Sequence, residues 1–370
     1  MNFAFSEEQD ELRRSVRKFL EDKSPISEVR KQMESQSGFD PEVWTQATQQ
    51  LGLAGISIPE EYGGLGFTNI ELGIVLEEMG RALFCAPYFS SVVLGANALL
   101  ASGDKEAMAA HLPGIASGDS RYTVAMYESA AGFDISGTAT TAVPSGGVFR
   151  ISGRKDYVID GATATDFLVF AKAGDGLSLF HVKRSDSTRS TWHETMDQTR
   201  KLASVEFEAA EGSLVGTLGQ GAETYKQLID IACAALSAEM VGGAQSCLDM
   251  SVEYAKVRIQ FGRPIGSFQA IKHKCADMLV EVESAKSAAY YAMWAAANDA
   301  AELNIAAPLA KSFCSDAYFM VAAENIQIHG GIGFTWEHDA HLYFKRAKSS
   351  QLMFGSPSNF REELAQRIGL

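Results

Sequence analysis

Residues 254–269 read YAKVRIQFGRPIGSFQ and separate two long segments of helical character. On both sides, apolar residues recur at spacings of three and four, which predicts an amphipathic helix before the segment and another after it. Gly262, Pro264 and Gly266 lie between them, and this combination does not let a helix persist. The sequence therefore predicts a helix, a tight turn and a second helix.

Arg258 and Gln269 lie on either side of this turn. A guanidinium and an amide at the ends of two long helices suit a phosphate group and a neighbouring hydroxyl. The alternative is an ordinary helical hairpin that carries a surface arginine. The segment by itself leaves both interpretations open.

A second segment, residues 324–335 (ENIQIHGGIGFT), predicts the end of another helix followed by a glycine-rich loop. The loop is not a P-loop, because no Gly-Lys-Ser/Thr follows, and it is not a dinucleotide fingerprint, because it follows a helix. Together with residues 58–66 (IPEEYGGLG), the two segments resemble the acyl-CoA dehydrogenase family. In that family an Arg-x-x-Phe-Gly…Gln segment and a Gln-x-x-Gly-Gly-x-Gly segment hold the ADP half of FAD. The resemblance runs nearly from end to end.

Composition sets broad limits on function. The chain has 370 residues and a net charge of −14, which argues against non-specific binding to nucleic acid or to anionic membranes. Its five cysteines lack Cys-x-x-Cys spacing, and most lie in apolar helical patterns, so buried free thiols are expected. No apolar run approaches the roughly 18 residues of a membrane span, and no signal sequence is recognised at the start. We therefore expect a cytoplasmic protein without a membrane span.

Three regions differ in their sequence pattern. Residues 1–120 and 221–370 show helical spacing, whereas residues 121–220 contain short alternating apolar runs separated by turn pairs, which predicts a β-sheet or barrel. The fold class is therefore α+β. The resemblance implies an acyl-CoA dehydrogenase-like fold: an N-terminal helical domain, a middle β-domain, and a C-terminal four-helix bundle that forms the oligomer core.

The resemblance also implies FAD at a subunit interface, with the flavin ring held by one subunit and the ADP half gripped by its neighbour. Arg258 would pair with the pyrophosphate and Phe261 would pack near the adenosine. Glycines in the second segment would let the backbone approach the phosphates, because a Cβ there would hold the ligand away. The expected cofactor-binding residues are Arg258, Phe261, Gln269, Gln327, Gly330, Gly331 and Ser356.

The half of the family pattern that surrounds the flavin ring is altered. Residues 127–134 read YESAAGFD where the family has approximately Thr-Glu-Pro-Gly-Ala-Gly-Ser-Asp, so two expected hydroxyls become Tyr127 and Phe133. Residues 157–161 read YVIDG where the family has approximately Trp-Ile-Thr-Asn-Gly. A threonine expected to hydrogen-bond flavin N5 is thus Ile159, which cannot donate.

The catalytic base of the family is also replaced. Its Tyr-Glu-Gly-Thr loop reads MFGS at residues 353–356, so the family base position is Phe354, which cannot transfer a proton. Some members carry the base on an earlier helix, at a position that aligns with Ala232. The first carboxylate after that position on the helix is Glu239, in an apolar stretch where its pKa should rise. Glu239 is our candidate base; a buried structural ion pair is the alternative.

These observations lead to a first hypothesis and two alternatives. The resemblance is closest to the short subunits of heteromeric bacterial acyl-CoA dehydrogenases, as in steroid side-chain or dicarboxylate degradation. The chain would then be the partner subunit in an α2β2 heterotetramer, with an acyl-CoA substrate and an electron-transfer flavoprotein as acceptor. One alternative is a self-sufficient homotetramer with a relocated base, Glu239 or Glu128. The other is a non-catalytic structural subunit without flavin. No metal site is expected.

Overall fold

The computed structural model describes residues 5–132, 134–174 and 176–370. They form two compact units, each built from separate stretches of the chain. The first unit comprises Met1–Lys31, Asn69–Phe84 and Cys233–Leu370, and the second comprises Gln32–Thr68 and Cys85–Ala232. Our three-part division at residues 120 and 220 stays a prediction; the change from helix to sheet and back lies close to both boundaries.

The N-terminal third is helical, as its periodicity predicts. Ser6 caps the first helix, and Gln9 completes the capping box by accepting a hydrogen bond from the Ser6 backbone. Two π-helical stretches, Gln46–Gln50 and Phe89–Ala96, continue or precede short α-helices. The α-helices are α1 (Glu7–Lys23), α2 (Ile26–Glu34), α3 (Pro41–Thr45), α4 (Asn69–Arg81), α5 (Asn97–Ser102) and α6 (Lys105–Ala116).

The middle region forms a seven-stranded sheet that closes on itself. Its strands are β1 (Tyr122–Ala125), β2 (Thr141–Ser145), β3 (Val148–Ile159), β4 (Asp166–Ala173), β5 (Gly176–Lys183), β6 (Thr188–His193) and β7 (Leu202–Val215). Pairing runs in a circuit from β4 through β5, β7, β3 and β2 back to β4, while β1 pairs parallel to β4 and β6 pairs with β7. Alternating apolar residues point inward and form a core that includes Phe167, Phe180 and Val205.

The C-terminal region is helical, and its first two long helices are separated as the opening segment predicts. Helix α7 spans Gly221–Val257, and a two-stranded hairpin follows, with β8 at Ile259–Gln260 and β9 at Arg263–Pro264. The remaining helices are α8 (Gln269–Asn298), α9 (Ala300–His329), α10 (Ala340–Leu352) and α11 (Pro357–Arg367). The predicted α+β architecture is confirmed.

Within the first unit, α4 and α7 cross with their backbones in close contact. A Cβ added at Gly80 would lie 1.9 Å from the carbonyl oxygen of Glu239, and one added at Gly242 would lie 1.8 Å from that of Glu77. Both distances are far below any van der Waals contact, so glycine is required on each side of the crossing. The crossing fixes the position of α7 against α4, and therefore also the position of the polar residues on α7 near the crossing.

Helix α7 corrects one sequence-based expectation. By length and composition it is apolar enough to cross a membrane, so the prediction that no segment qualifies is wrong for this helix. However, 83% of its most apolar window is buried inside the protein. Such burial is typical of a core helix, which is apolar all round and packs against neighbouring elements on every side.

Candidate functional site

Arg258 lies immediately after α7, at the base of the hairpin that separates α7 from α8. Its backbone N–H still donates to Tyr254 in the helical manner, and its carbonyl oxygen accepts from Ile265 across the hairpin. These two bonds fix the backbone while the side chain remains exposed. Gln269, the first residue of α8, is exposed at the other end of the same connection. The predicted placement of a cation and an amide at two helix ends is therefore present.

Phe261 lies at the tip of the hairpin, and both its backbone conformation and its exposure are unusual for a phenylalanine. Its φ is +53° and that of Gly262 is +76°, the pair of left-handed positions that a tight two-residue hairpin requires. A bulky residue adopts such a conformation at a cost. The side chain is also 92% exposed, which is costly for an apolar ring. A strained and solvated aromatic ring at a loop tip is typical of a ligand- or partner-binding position.

The glycine-rich loop begins where α9 ends. Gly330 has φ +67° and ψ −142°, a region open to glycine alone, and its N–H closes the last turn of the helix. A Cβ built at Gly330 or at Gly331 would meet no atom within 4 Å, so the backbone here borders open space. Gln327 lies one turn before the loop and is exposed.

Contacts between α7 and α9 bring the arginine end and the glycine loop to the same end of the first unit. The Tyr254 ring, one turn before Arg258, lies 4.2 Å from that of His329, which directly precedes the loop. One turn further back, the Ser251 hydroxyl donates to Asn325 Oδ1 at 2.8 Å. The structure therefore places the end of α7 that leads to Arg258 close to the Gly330–Gly331 loop; the binding of one nucleotide by both stays a prediction.

The chemistry of this surface fits the ADP half of FAD. An exposed guanidinium suits a pyrophosphate, and an exposed aromatic ring suits a base or ribose face. The open space beside the backbone of Gly330 and Gly331 lets phosphate oxygens approach this loop closely. All these groups face solvent in this chain.

Ser356 belongs to a different place. It is the N-cap of α11, where its hydroxyl accepts from the Asn359 backbone N–H at 3.3 Å and the Asn359 side chain accepts from the Ser356 N–H at 3.1 Å. This capping box gives the residue a structural function. Its role in cofactor binding stays a prediction.

In the second unit, the residues that align with the family's flavin-ring contacts offer few donors. Ile159 is 5% exposed, and its carbonyl oxygen accepts from the Thr123 hydroxyl at 2.6 Å. Tyr157 is 53% exposed at φ +51°, with its ring 5.5 Å from that of Tyr127. Tyr127 thus places an aromatic ring where the family has a small hydroxyl, beside Tyr157 at the family's tryptophan position. Phe133, the other altered position, lies outside the described residues.

Glu128, one of the two candidate bases, is bound within the sheet unit. Its carboxylate pairs with Lys155 Nζ at 2.8 Å and accepts from the Thr140 hydroxyl at 2.7 Å and from the Ala139 N–H at 2.7 Å. Burial by itself would raise the pKa of Glu128, but the hydrogen bonds from Lys155, Thr140 and Ala139 outweigh it, so the pKa lies below the ordinary value. Lys155 is fully buried, and burial lowers its pKa to about 8.

Glu239, the other candidate base, is paired with Arg346. Its Oε1 lies 2.7 Å from Arg346 Nη1, and the two side chains are only 7% and 5% exposed. The ion pair that the sequence offered as an alternative is therefore present, and a role for Glu239 as a base stays a prediction. Sequence alone does not identify Arg346 as the partner, because its neighbours Lys345 and Lys348 give this segment the pattern of a basic surface stripe. Its spacing of three and four from Tyr343 and Ser350, both buried, could have indicated an inward position.

Residues 338–341 have structural partners. Asp339 accepts a charge-assisted hydrogen bond from Arg30 at 2.8 Å, and His338 accepts from the Ala340 N–H at 3.1 Å. His338 also lies 4.4 Å from the ring of His329. This segment thus supports the start of α10 beside the glycine loop.

Comparison with known proteins gives the class to which this fold and site belong. Two family models match, that of the acyl-CoA dehydrogenase N-terminal domain over residues 6–119 and that of the C-terminal domain over residues 219–369. The chain belongs to the acyl-CoA dehydrogenase family. Members of this family use FAD, and the chain is accordingly a flavoprotein oxidoreductase or a subunit of one.

Three individual proteins show which members of the family this chain is similar to. Acyl-CoA dehydrogenase IpdE2 of Mycolicibacterium smegmatis is 38% identical over 97% of this chain and 97% of its own length. Among solved structures, a variant of the Tcur3481-Tcur3483 steroid ACAD is 31% identical, with a TM-score of 0.88 and 98% of each chain covered. One chain of the solved ChsE4-ChsE5 complex of Mycobacterium tuberculosis is 28% identical to this chain, with a TM-score of 0.90. The match covers 100% of this chain and 99% of the other.

Proposed function

We propose that this chain is the partner subunit of a heteromeric FAD-dependent acyl-CoA dehydrogenase. It supplies the grip on the ADP half of a flavin whose ring rests on a second, related chain. The assembly is an α2β2 heterotetramer that introduces an α,β double bond into an acyl-CoA thioester. Electrons leave the flavin to an electron-transfer flavoprotein.

One observation carries this proposal: the two halves of the flavin pattern differ within the same chain. The nucleotide half is complete and faces solvent, with Arg258 and the Gly330–Gly331 backbone open to a ligand. The ring half has Ile159 in place of a donor, and Phe354 stands at the family base position. Each unsatisfied polar atom of a buried ring would cost about 1–3 kcal/mol, so several such losses remove most of the ring affinity.

The proton chemistry supports the same division of labour. FAD, when bound, accepts the β-hydride of the acyl group, and a carboxylate must take the α-proton. In this chain Glu128 forms an ion pair with Lys155, and Glu239 forms one with Arg346. The hydrogen bonds to Glu128 hold its pKa below the ordinary value, and the Glu239 carboxylate is bound by a buried guanidinium. We therefore assign the base to the second chain.

The relatives support a proposal for the class of acyl group. One solved relative is described as a steroid ACAD and another as a complex of two chains. We propose a bulky, steroid-derived acyl-CoA as the substrate class, processed by a pair of unlike subunits.

The stoichiometry of flavin tests the proposal. The chain is expressed alone and together with its candidate partner, a second acyl-CoA dehydrogenase-like chain, and bound FAD per polypeptide is measured by absorbance after denaturation. We expect little or no flavin on the chain alone and one FAD per two polypeptides in the co-purified assembly. One FAD per polypeptide in a homo-oligomer of this chain would overturn the proposal.

A variant pair separates nucleotide binding from folding. Arg258→Ala should remove most of the flavin from the assembly, because the pyrophosphate loses its cation. Arg361→Ala, which breaks a surface ion pair with Asp316, is the matched control and should retain it. Unchanged flavin in Arg258→Ala would count against the proposed grip.

The homotetramer alternative has its own test. It needs Glu239 or Glu128 to act as the base despite their ion pairs. A yellow homo-oligomer of this chain that an acyl-CoA bleaches, and that Glu239→Gln or Glu128→Gln makes unreactive, would support that alternative and exclude ours.

A further inference from the structure

The short loop between α10 and α11 has a strained backbone. Phe354 adopts φ +63° and Gly355 adopts φ +137°. The first value is unfavourable for an aromatic residue, and a cost of about 1–3 kcal/mol is typical for such a position. A strained conformation persists only where the surroundings over-determine it. Neighbouring groups must therefore hold this loop in place.

Lys311 meets that requirement. It lies on α9, is fully buried, and points its ammonium at the loop from beneath. Its Nζ lies 3.1 Å from the carbonyl oxygen of Gln351 and 3.5 Å from that of Gly355. Gln351 precedes Phe354 in the sequence, and Gly355 follows it. A single ammonium group therefore binds both the last turn of α10 and the residue directly after the strained Phe354.

The ammonium is itself fixed in place. Its Nζ donates to the Ser315 hydroxyl, one turn along α9, at 3.1 Å, and it lies 5.2 Å from the centre of the Phe360 ring on α11. Hydrogen bonds to a charged group are stronger than those between neutral groups, and a cation–π contact shielded from water adds to them. Together these contacts can hold one strained residue.

Both helices that flank the loop are anchored independently. The buried Glu239–Arg346 pair holds the middle of α10, and the Ser356 capping box fixes the first turn of α11. The loop therefore has no freedom at its ends, and its internal shape depends on what binds its carbonyl groups.

We propose that Lys311 is a positioning residue that fixes where the side chain at position 354 stands, whatever that side chain is. It acts through the Gln351 and Gly355 carbonyls. This inference does not depend on the flavin or on a second subunit, because every contact that carries it lies within the first unit of this chain. The loop thus holds the side chain of residue 354 in a fixed position. That position does not depend on which side chain is present.

The experiment places a reporter at the position itself. 4-Fluorophenylalanine is incorporated at position 354 of the full-length chain, and its ¹⁹F resonance is recorded with and without Lys311→Met. The substitution keeps the length of the side chain and removes the charge. Lys348→Met is the matched control, since Lys348 contacts the Gln351 side chain and the Phe319 ring but not the loop carbonyls.

We expect one sharp resonance in the parent protein and in Lys348→Met, and a shifted or split resonance in Lys311→Met at a temperature where the far-ultraviolet circular dichroism is unchanged. A lower melting temperature with an unmoved resonance would reduce Lys311 to a purely structural role and overturn the proposal.

A second variant covers failure to fold. Lys311→Arg keeps the charge but cannot reproduce the position of a single ammonium. Exchange of the Met353 and Gly355 amides, both hydrogen-bonded in the loop, should then rise about tenfold or more relative to Lys348→Met. Equal exchange rates in the two variants would contradict the proposal.

Discussion

Glu239 on α7 and Arg346 on α10 form a buried ion pair, with 2.7 Å between Oε1 and Nη1. The pair lies at the α4–α7 crossing, where Gly80 contacts the Glu239 backbone. Removing one member of such a pair leaves an uncompensated buried charge, at a cost of about 3–5 kcal/mol. The carboxylate therefore has a structural role in this chain, and its substitution tests whether it also has a catalytic one.

Glu239→Gln should lower the melting temperature markedly while the flavin-loaded assembly keeps its rate of acyl-CoA oxidation below the transition. The physical reason is that the amide retains a hydrogen bond to Arg346 but loses the balancing charge. Thermal unfolding and a dye-reduction assay on the same samples measure both. Replacing both members by Leu and Met should recover much of the stability. A stable Glu239→Gln assembly without activity would instead identify Glu239 as the base.

Acid should destabilise the protein through His111. Burial first, and then the neighbouring His181, lower the pKa of His111 from 6.5 to about 4, against the opposing charges of Asp166 and Asp104. The His111 ring lies 4.1 Å from that of His181, and its Nδ1 is 2.8 Å from the Tyr122 hydroxyl.

Between pH 4 and 6.5 the unfolded chain therefore binds a proton at His111 that the folded chain does not. Stability should be highest above that window and fall as the pH drops through it. Urea unfolding at several pH values measures the slope, and His111→Gln should make it shallower. An identical slope in the variant would mean that other groups control the acid limb.

The sequence predicted those features that depend on local pattern. The hairpin after α7 followed from Gly262 and Pro264, and the sheet followed from alternating apolar residues. Gly330 was recognised because a glycine pair directly after a helix indicates a backbone conformation that other residues do not adopt. These signals are local, and tertiary packing agreed with them.

The missed features depend on contacts between distant segments. Arg346 has charged neighbours in sequence, which is typical of a surface segment, and no local pattern distinguishes Lys311. Each is a buried cation whose partner lies on another element, at Glu239 and at the loop after α10. Periodicity marks a position as inward-facing, but it does not show which carboxylate or carbonyl lies opposite.

Gly242→Ala should destabilise the protein although alanine is the better helix former. Alanine gains about 1 kcal/mol in a helix interior, but its Cβ would lie 1.8 Å from the Glu77 carbonyl oxygen. Forcing the helices apart costs about 1–3 kcal/mol or more. Chemical denaturation of Gly242→Ala against Gly331→Ala gives the comparison, since a Cβ at Gly331 meets no atom within 4 Å. Equal stability of the two variants would contradict the close crossing.

Gly331→Ala should in turn weaken flavin retention by the assembly while leaving the fold intact. The new methyl group points into the open space beside the loop, which is where we place the ADP phosphates, and it would hold them away from the backbone N–H groups. Loss of one or two such hydrogen bonds to a charged group corresponds to about 1.5–3 kcal/mol each, and thus to at least a tenfold rise in the FAD dissociation constant. Flavin release during dilution, followed by fluorescence, measures it. Ala270, exposed next to Gln269 on the first turn of α8, offers a control: Ala270→Ser should release flavin at the parent rate. If Gly331→Ala holds FAD as tightly as the parent assembly, the nucleotide does not lie against this loop.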